Sequence, residues 1–258
     1  MRSTQPVVGL LSLALVVAAP ALAQPPSGVP DVAGIRPGMS AQEAYDALKA
    51  RSNGANVGIA QTQLPGVSQP VVVLMSLAVL DSSPAETITV MLTYPPGKQV
   101  VWGIRRRLEF ERGKEPTKVA IMKNIREKYG PEIHAGGIDF WNFDEQGGRP
   151  NEKDMIFNHC AGQFSINEPD DPANPAPRSA LGGAFVGPPN VCSNIISLRA
   201  EVDSRTDNEL AAVVTLTLED TPIARRSRQA YDNLVANEGD AAHRQVIDNA
   251  NQQKAPKF

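Results

Sequence analysis

The chain has 258 residues, with 25 Lys and Arg against 28 Asp and Glu and a formal net charge of −3 at pH 7. That balance gives no reason to expect binding to nucleic acid or to an anionic membrane surface. The length suffices for one large domain or two small ones with a real core.

At the start, Arg2 supplies a positive charge, residues 7–18 form an apolar run, and Pro20-Ala21-Leu22-Ala23 ends in the small-x-small pattern that signal peptidase reads. The expectation is a signal peptide over residues 1–23, cleavage after Ala23, a periplasmic or secreted location, and Gln24 as the mature N-terminus. The apolar run falls short of the roughly 20 residues a bilayer-spanning helix needs, so no membrane span is expected. In an oxidising compartment the two cysteines, Cys160 and Cys192, are expected to pair. A bridge closing about 33 residues contributes roughly 3–4 kcal/mol in the chain-entropy account.

Residues 24–31, rich in proline and small side chains, read as a flexible lead-in, with order starting near Val32. Ser40 and Glu43 have the spacing of a capping box, and Ala41, Ala44, Tyr45 and Leu48 share one helical face, which predicts a helix over 41–52. Strand character follows at 57–64 and 71–80, the latter apolar enough to be buried on both faces. Ile88, Val90, Leu92 and Tyr94 then alternate with Thr87, Thr89, Met91 and Thr93. After Pro95-Pro96-Gly97-Lys98, the set Val100, Trp102, Ile104, Leu108 and Phe110 continues at period two.

A second helix is predicted over 117–129, stopped by Gly130-Pro131, with Lys123, Arg126 and Lys128 at the end that the helix dipole favours for cations. Strands are expected at 138–143, 154–158, 196–202 and 210–218, with a proline-rich excursion over 167–177. Thr221-Pro222 reads as the N-cap and first turn of a helix, and a separate polar helix is expected over 240–253. The fold class is therefore α+β, in two tandem units of a helix plus an antiparallel sheet, over 32–115 and 116–253, with C-terminal helices and a tail at 254–258. A duplicated unit of one helix and four strands would produce this order.

The Gly38-Met39-Ser40-Ala41-Gln42-Glu43-Ala44 stretch resembles the start of the helix in small exported proteins related to the β-lactamase inhibitor protein and to the SmpA/OmlA envelope family. Lys128-Tyr129-Gly130-Pro131 followed by Trp141 resembles exported proteobacterial proteins. The resemblance implies a non-enzymatic α+β module. Unlike the SmpA/OmlA lipoproteins, this chain has no cysteine near the cleavage point to carry a lipid.

The chain lacks the Gly-x-Ser-x-Gly, His-Glu-x-x-His and Gly-x-x-x-x-Gly-Lys patterns, so no catalytic residue is assigned. His134, His159 and His243 have no zinc spacing. Glu168, Asp170 and Asp171, with Asn167 and Asn174, depart from calcium-loop spacing. No metal or cofactor is expected.

Arg105, Arg106 and Arg107 are the candidate binding residues. Strict alternation turns Arg106 toward the core, which leaves a register-shifting bulge near Gly103, a position at the core edge, a carboxylate partner or an anion pocket as explanations. Arg105 and Arg107 fall on the opposite face as a basic strip that could meet an acidic partner. The expected role is binding or protein interaction in the envelope, and the alternative is a periplasmic hydrolase with scattered catalytic residues.

Overall fold

In the computed structural model, which describes residues 28–135, 138–150, 172, 194–205 and 208–251, the chain enters its first helix, α1 (Ala41–Arg51), through a complete capping box. Glu43 N–H donates to Ser40 Oγ at 3.2 Å and Ser40 N–H donates to the Glu43 carboxylate at 2.8 Å. Ala44 and Leu48 are the buried side of α1. Residues 1–23, Cys160, Cys192, His159, the strand expected at 154–158 and the acidic residues Glu168, Asp170 and Asp171 lie outside the described residues.

Four strands follow α1: β1 (Val57–Thr62), β2 (Val71–Val79), β3 (Ala85–Leu92) and β4 (Val101–Glu109). The second unit runs α2 (Lys118–Tyr129), β5 (Ile133–Ala135), β6 (Ile138–Phe143), β7 (Ile196–Asp203) and β8 (Val213–Asp220), and the chain continues into α3 (Thr221–Asn251). The eight strands of the described residues form one antiparallel sheet in the order β1-β2-β3-β4-β8-β7-β6-β5. The class is α+β, and the two units share a single sheet joined at the β4–β8 seam.

Period-two alternation gives this sheet two different faces. Leu77, Ile88, Arg106 and Leu216 align across the strands, as do Met75, Val90, Ile104, Leu218, Leu198 and Trp141. These rows form an inner face packed with Ala44 and Leu48 of α1 and with Met122, Ile125 and Tyr129 of α2. On the outer face Ala224 and Tyr231 of α3 pack on Leu74, Met91, Tyr94 and Trp102 at one end.

Several expectations are corrected. A register shift at Met91/Leu92 opposite Gly103 and Val101 sends Trp102 to the outer face, so Trp102 and Ile104 do not share a side. Its indole N–H donates to the Leu92 carbonyl at 3.1 Å. Val100 is half-buried rather than a core residue. The short β5 was not expected, and β8 starts at Val213, Leu210 making only an isolated bridge to Thr117.

The two C-terminal helices expected at 221 and 240 are one continuous α3. A glycine inside a helix costs only about 1 kcal/mol, so Gly239 does not end it. The helix is capped by Asp220, whose Oδ1 accepts the Ile223 N–H at 2.7 Å, rather than by Thr221.

The two units enter their helices alike. Ser40 bridges Val100, with Ala41 N–H donating to Gln99 O at 3.3 Å and Val101 N–H to Met39 O at 2.8 Å. Thr117 bridges Leu210, with Lys118 N–H donating to Glu209 O at 2.8 Å and Ala211 N–H to Pro116 O at 2.8 Å. In each case the N-cap residue is pinned to the chain that leads into the unit's last strand.

Candidate functional site

The three consecutive arginines do not form one site. Arg106 is on the inner face, where its Nε donates to Glu86 at 2.6 Å, and Arg51 of α1 donates to the same carboxylate at 2.8 Å. Of the explanations open for Arg106, the carboxylate partner is the one present, alongside a bulge that leaves its inward orientation unchanged. Burial pushes the Glu86 carboxyl up, but the two guanidinium groups more than reverse this and hold it below the usual range.

Arg105 and Arg107 point to the outer face. Arg105 has Thr89 and Thr217 as cross-strand neighbours, and Arg107 has Thr87 and Thr215. Arg199 stands beyond Thr217 in the same row as Arg105. This face is not a bare cationic strip, because Arg107 Nη1 lies 2.9 Å from Glu109 and Arg199 pairs with Glu201. Pro172 lies against it, its carbonyl accepting the Ser76 hydroxyl at 2.5 Å.

His134 pairs with Asp139 across β5 and β6 at 2.7 Å on an exposed edge, and His243 is exposed on α3. Among the described residues no three His, Cys, Asp or Glu side chains group as metal ligands, and no helix is long and apolar enough to cross a membrane.

A cleft of about 610 Å³ opens elsewhere, where the segment at residues 28–31 passes the C-terminal end of α2 and the turn after β6. Asp144 shapes that turn, its Oδ1 accepting the N–H groups of Gln146 at 2.9 Å and Gly148 at 2.7 Å. Gly147 has φ +82°, and a Cβ there would fall 2.1 Å from the Gly28 carbonyl oxygen, so only glycine lets the two segments meet. On the other wall, Tyr129 donates its hydroxyl to the Asp31 carbonyl at 2.7 Å and Lys128 Nζ lies 2.9 Å from the Asp31 carboxylate. Burial pushes the Asp31 carboxyl up, but Lys128 and the Gly34 N–H outweigh it and leave the pKa below the usual range.

Arg149 crosses the end of α2. One nitrogen, Nη2, donates to the carbonyls of Tyr129 at 2.8 Å and Pro131 at 2.6 Å, and Trp141 Nε1 donates to that of Gly130 at 2.8 Å. These bonds satisfy acceptors that the helix and its exit leave unused, and put a cation where the helix dipole is negative. The guanidinium lies 5.5 Å from the centre of the Phe143 ring, and Lys128 Nζ lies 5.1 Å from that of Tyr129. Burial lowers the Arg149 pKa, with nearby Glu132 opposing. Among the described residues neither Arg149 nor Arg36, which also lines the cleft, forms an ion pair.

Sequence reasoning met Lys128 as a complement to the helix dipole and in the Lys128-Tyr129-Gly130-Pro131 stretch, neither time as a binding residue, and did not single out Asp31, Arg36, Phe143 or Arg149. These residues come from three separate stretches of the chain, 31–36, 128–129 and 143–149, so no local spacing links them all. The arrangement can hold a ligand by charge, hydrogen bonds and ring contacts. Searches against family models, curated proteins and solved structures return no match to this chain. The architecture is an α+β single-sheet fold with a cation-lined cleft at one end of its second helix.

Proposed function

We propose that this protein is an exported, non-enzymatic binding module of the cell envelope that holds its ligand in the cleft between residues 28–31, the end of α2 and the turn after β6. The observation that carries this reading is Arg149, a half-buried guanidinium that lines the cleft and has only one of its nitrogens engaged in hydrogen bonds within the described protein. Export is supported by the leader pattern at residues 1–23. A binding role fits a concave wall that sets Arg36, Lys128 and Arg149 beside the apolar side chains of Val29, Tyr129 and Phe143.

The test is an NMR titration of the mature, isotope-labelled protein with fractionated periplasmic extract. Shifts confined to the amides around Asp31, Lys128 and Gly147 are expected, and the exposed cleft-lining substitution Gln146→Trp should abolish them by filling the space. Shifts that persist in Gln146→Trp, or that fall only on the outer sheet face, would remove the cleft from the function.

A further inference from the structure

Resting on the reading of this cleft as a ligand site, we infer that its ligand presents a carboxylate on an apolar body, with Arg149 and Arg36 receiving the anionic group. The cleft is lined by three cations, Arg36, Lys128 and Arg149, and by one carboxylate, Asp31, already paired with Lys128 at 2.9 Å. Among the lining groups the positive charge left over resides on the two arginines, with Glu43 near Arg36 and Glu132 near Arg149 outside the lining. Arg149 is the better placed, because its Nη2 is anchored on the Tyr129 and Pro131 carbonyls and this fixes the plane of the group. A fixed guanidinium plane whose Nε and Nη1 have no hydrogen-bond partner among the described residues matches the two parallel bonds that a carboxylate accepts.

The surroundings narrow the class further. Half-buried Val29 and the margins of the Tyr129 and Phe143 rings, which are themselves 4% and 6% exposed, line the cleft beside the cations and give it an apolar side that suits an apolar group better than a bare ion. Asp31 and the negative end of α2 oppose a doubly charged anion, which would lie close to both. A single negative charge attached to a hydrophobic group satisfies all of these features. Free aromatic or aliphatic acids have that chemistry, and so do peptide C-termini ending in an apolar residue.

The experiment titrates the full mature chain with N-acetyl-phenylalanine, its C-terminal amide, inorganic phosphate, and a hexapeptide ending in free phenylalanine, read by calorimetry and by amide shifts. The acid is expected to bind about tenfold more tightly than the amide, with shifts around Asp31, Lys128 and Gly147. The exposed Arg36→Gln should weaken the acid several-fold without changing the melting temperature. Arg149→Gln should remove most of the preference for acid over amide and most of its salt dependence, a readout that simple loosening of the α2 terminus would not give.

Tighter binding of the hexapeptide than of the acid assigns peptide termini, and the reverse assigns small acids. Equal affinity for acid and amide, or phosphate binding as tightly as the acid, would overturn the inference while leaving the cleft a ligand site. No cleft shift with any of the four probes would also overturn it, and the extract titration then decides separately whether the cleft binds at all.

Discussion

Glu86 holds two guanidinium groups from different elements, Arg106 of β4 and Arg51 of α1, with its side chain only 12% exposed. Replacing Arg106 by Met leaves the carboxylate with Arg51 and puts an apolar stem among apolar neighbours, whereas Glu86→Ala strands both cations. Chemical denaturation should show Glu86→Ala costing on the order of 2 kcal/mol, discounted for the partial exposure of both arginines, and Arg106→Met clearly less. Because the folded pKa of Glu86 is below its ordinary 4.5, the stabilisation is present above that value and is lost as pH falls through the folded pKa. A denaturation series from pH 6 to pH 3 should fall less steeply in Glu86→Gln than in the parent chain.

Asp220 has the opposite sign. Burial raises its pKa above the ordinary 3.8 even though it accepts the Ile223 N–H, so its penalty is absent at low pH and grows as pH rises through the folded pKa. Asp220→Asn keeps the capping oxygen and removes the charge. It should raise the melting temperature at pH 7 by about 2–4 °C if the gain is about 1 kcal/mol, and Asp220→Ala should lower it by losing the cap.

Among the elements, α3 is the least evenly supported. Its first half is held by the 2.8 Å bond from the Tyr94 N–H to Ser227 Oγ, by the Tyr94 and Tyr231 rings at 5.7 Å, and by the Tyr231 hydroxyl on Pro65 O at 3.1 Å. Every residue from Ala236 to Gln245 is exposed. A helix of 31 residues extends about 46 Å, and a stretch without tertiary packing is marginal in water. Amide exchange should therefore be fast beyond Glu238, and truncation after that residue should leave the melting temperature within about 1 °C.

The same elements show what the sequence could and could not disclose. Alternation over 87–92 and 196–202 and the Ser40-x-x-Glu43 spacing are local signals, and local backbone geometry decided those elements, whereas Tyr94, expected beside Leu92, packs on the outer face with Trp102. The Trp102 bulge depends on how β3 and β4 pair at Gly103, and the Glu86 partnerships span 20 and 35 residues. The cleft joins Asp31 to Arg149. Periodicity carries no information about such distances, so the half of the site that matters most was illegible.

At the scale of the molecule, the β4–β8 seam makes the two units interdependent. Gly103 to Glu109 pairs with Val213 to Glu219 along the middle of one sheet, with an arrangement of strands that a two-fold axis through the seam would generate. A shared ancestry of the two units, by duplication, is our reading of that order and of the matching bridges at Ser40 and Thr117. A single cooperative transition is expected by calorimetry, and residues 32–115 expressed alone should aggregate or remain unfolded, because β4 would become an open edge. The proposed Cys160–Cys192 bridge adds to this: thiol titration of denatured, unreduced protein from its native compartment should find no free thiol, and reduction should lower the melting temperature.

The central place of β8 also governs the order in which the fold can be completed. It is the last strand in sequence, yet it lies between β4 and β7, so every nascent chain shorter than Val213 has two unsatisfied strand edges in what will become its middle. Neither meander can close against the other until nearly the whole polypeptide has emerged from a ribosome or a translocation channel. Such a chain presents two open strand edges for the same interval, a state in which strand edges favour self-association.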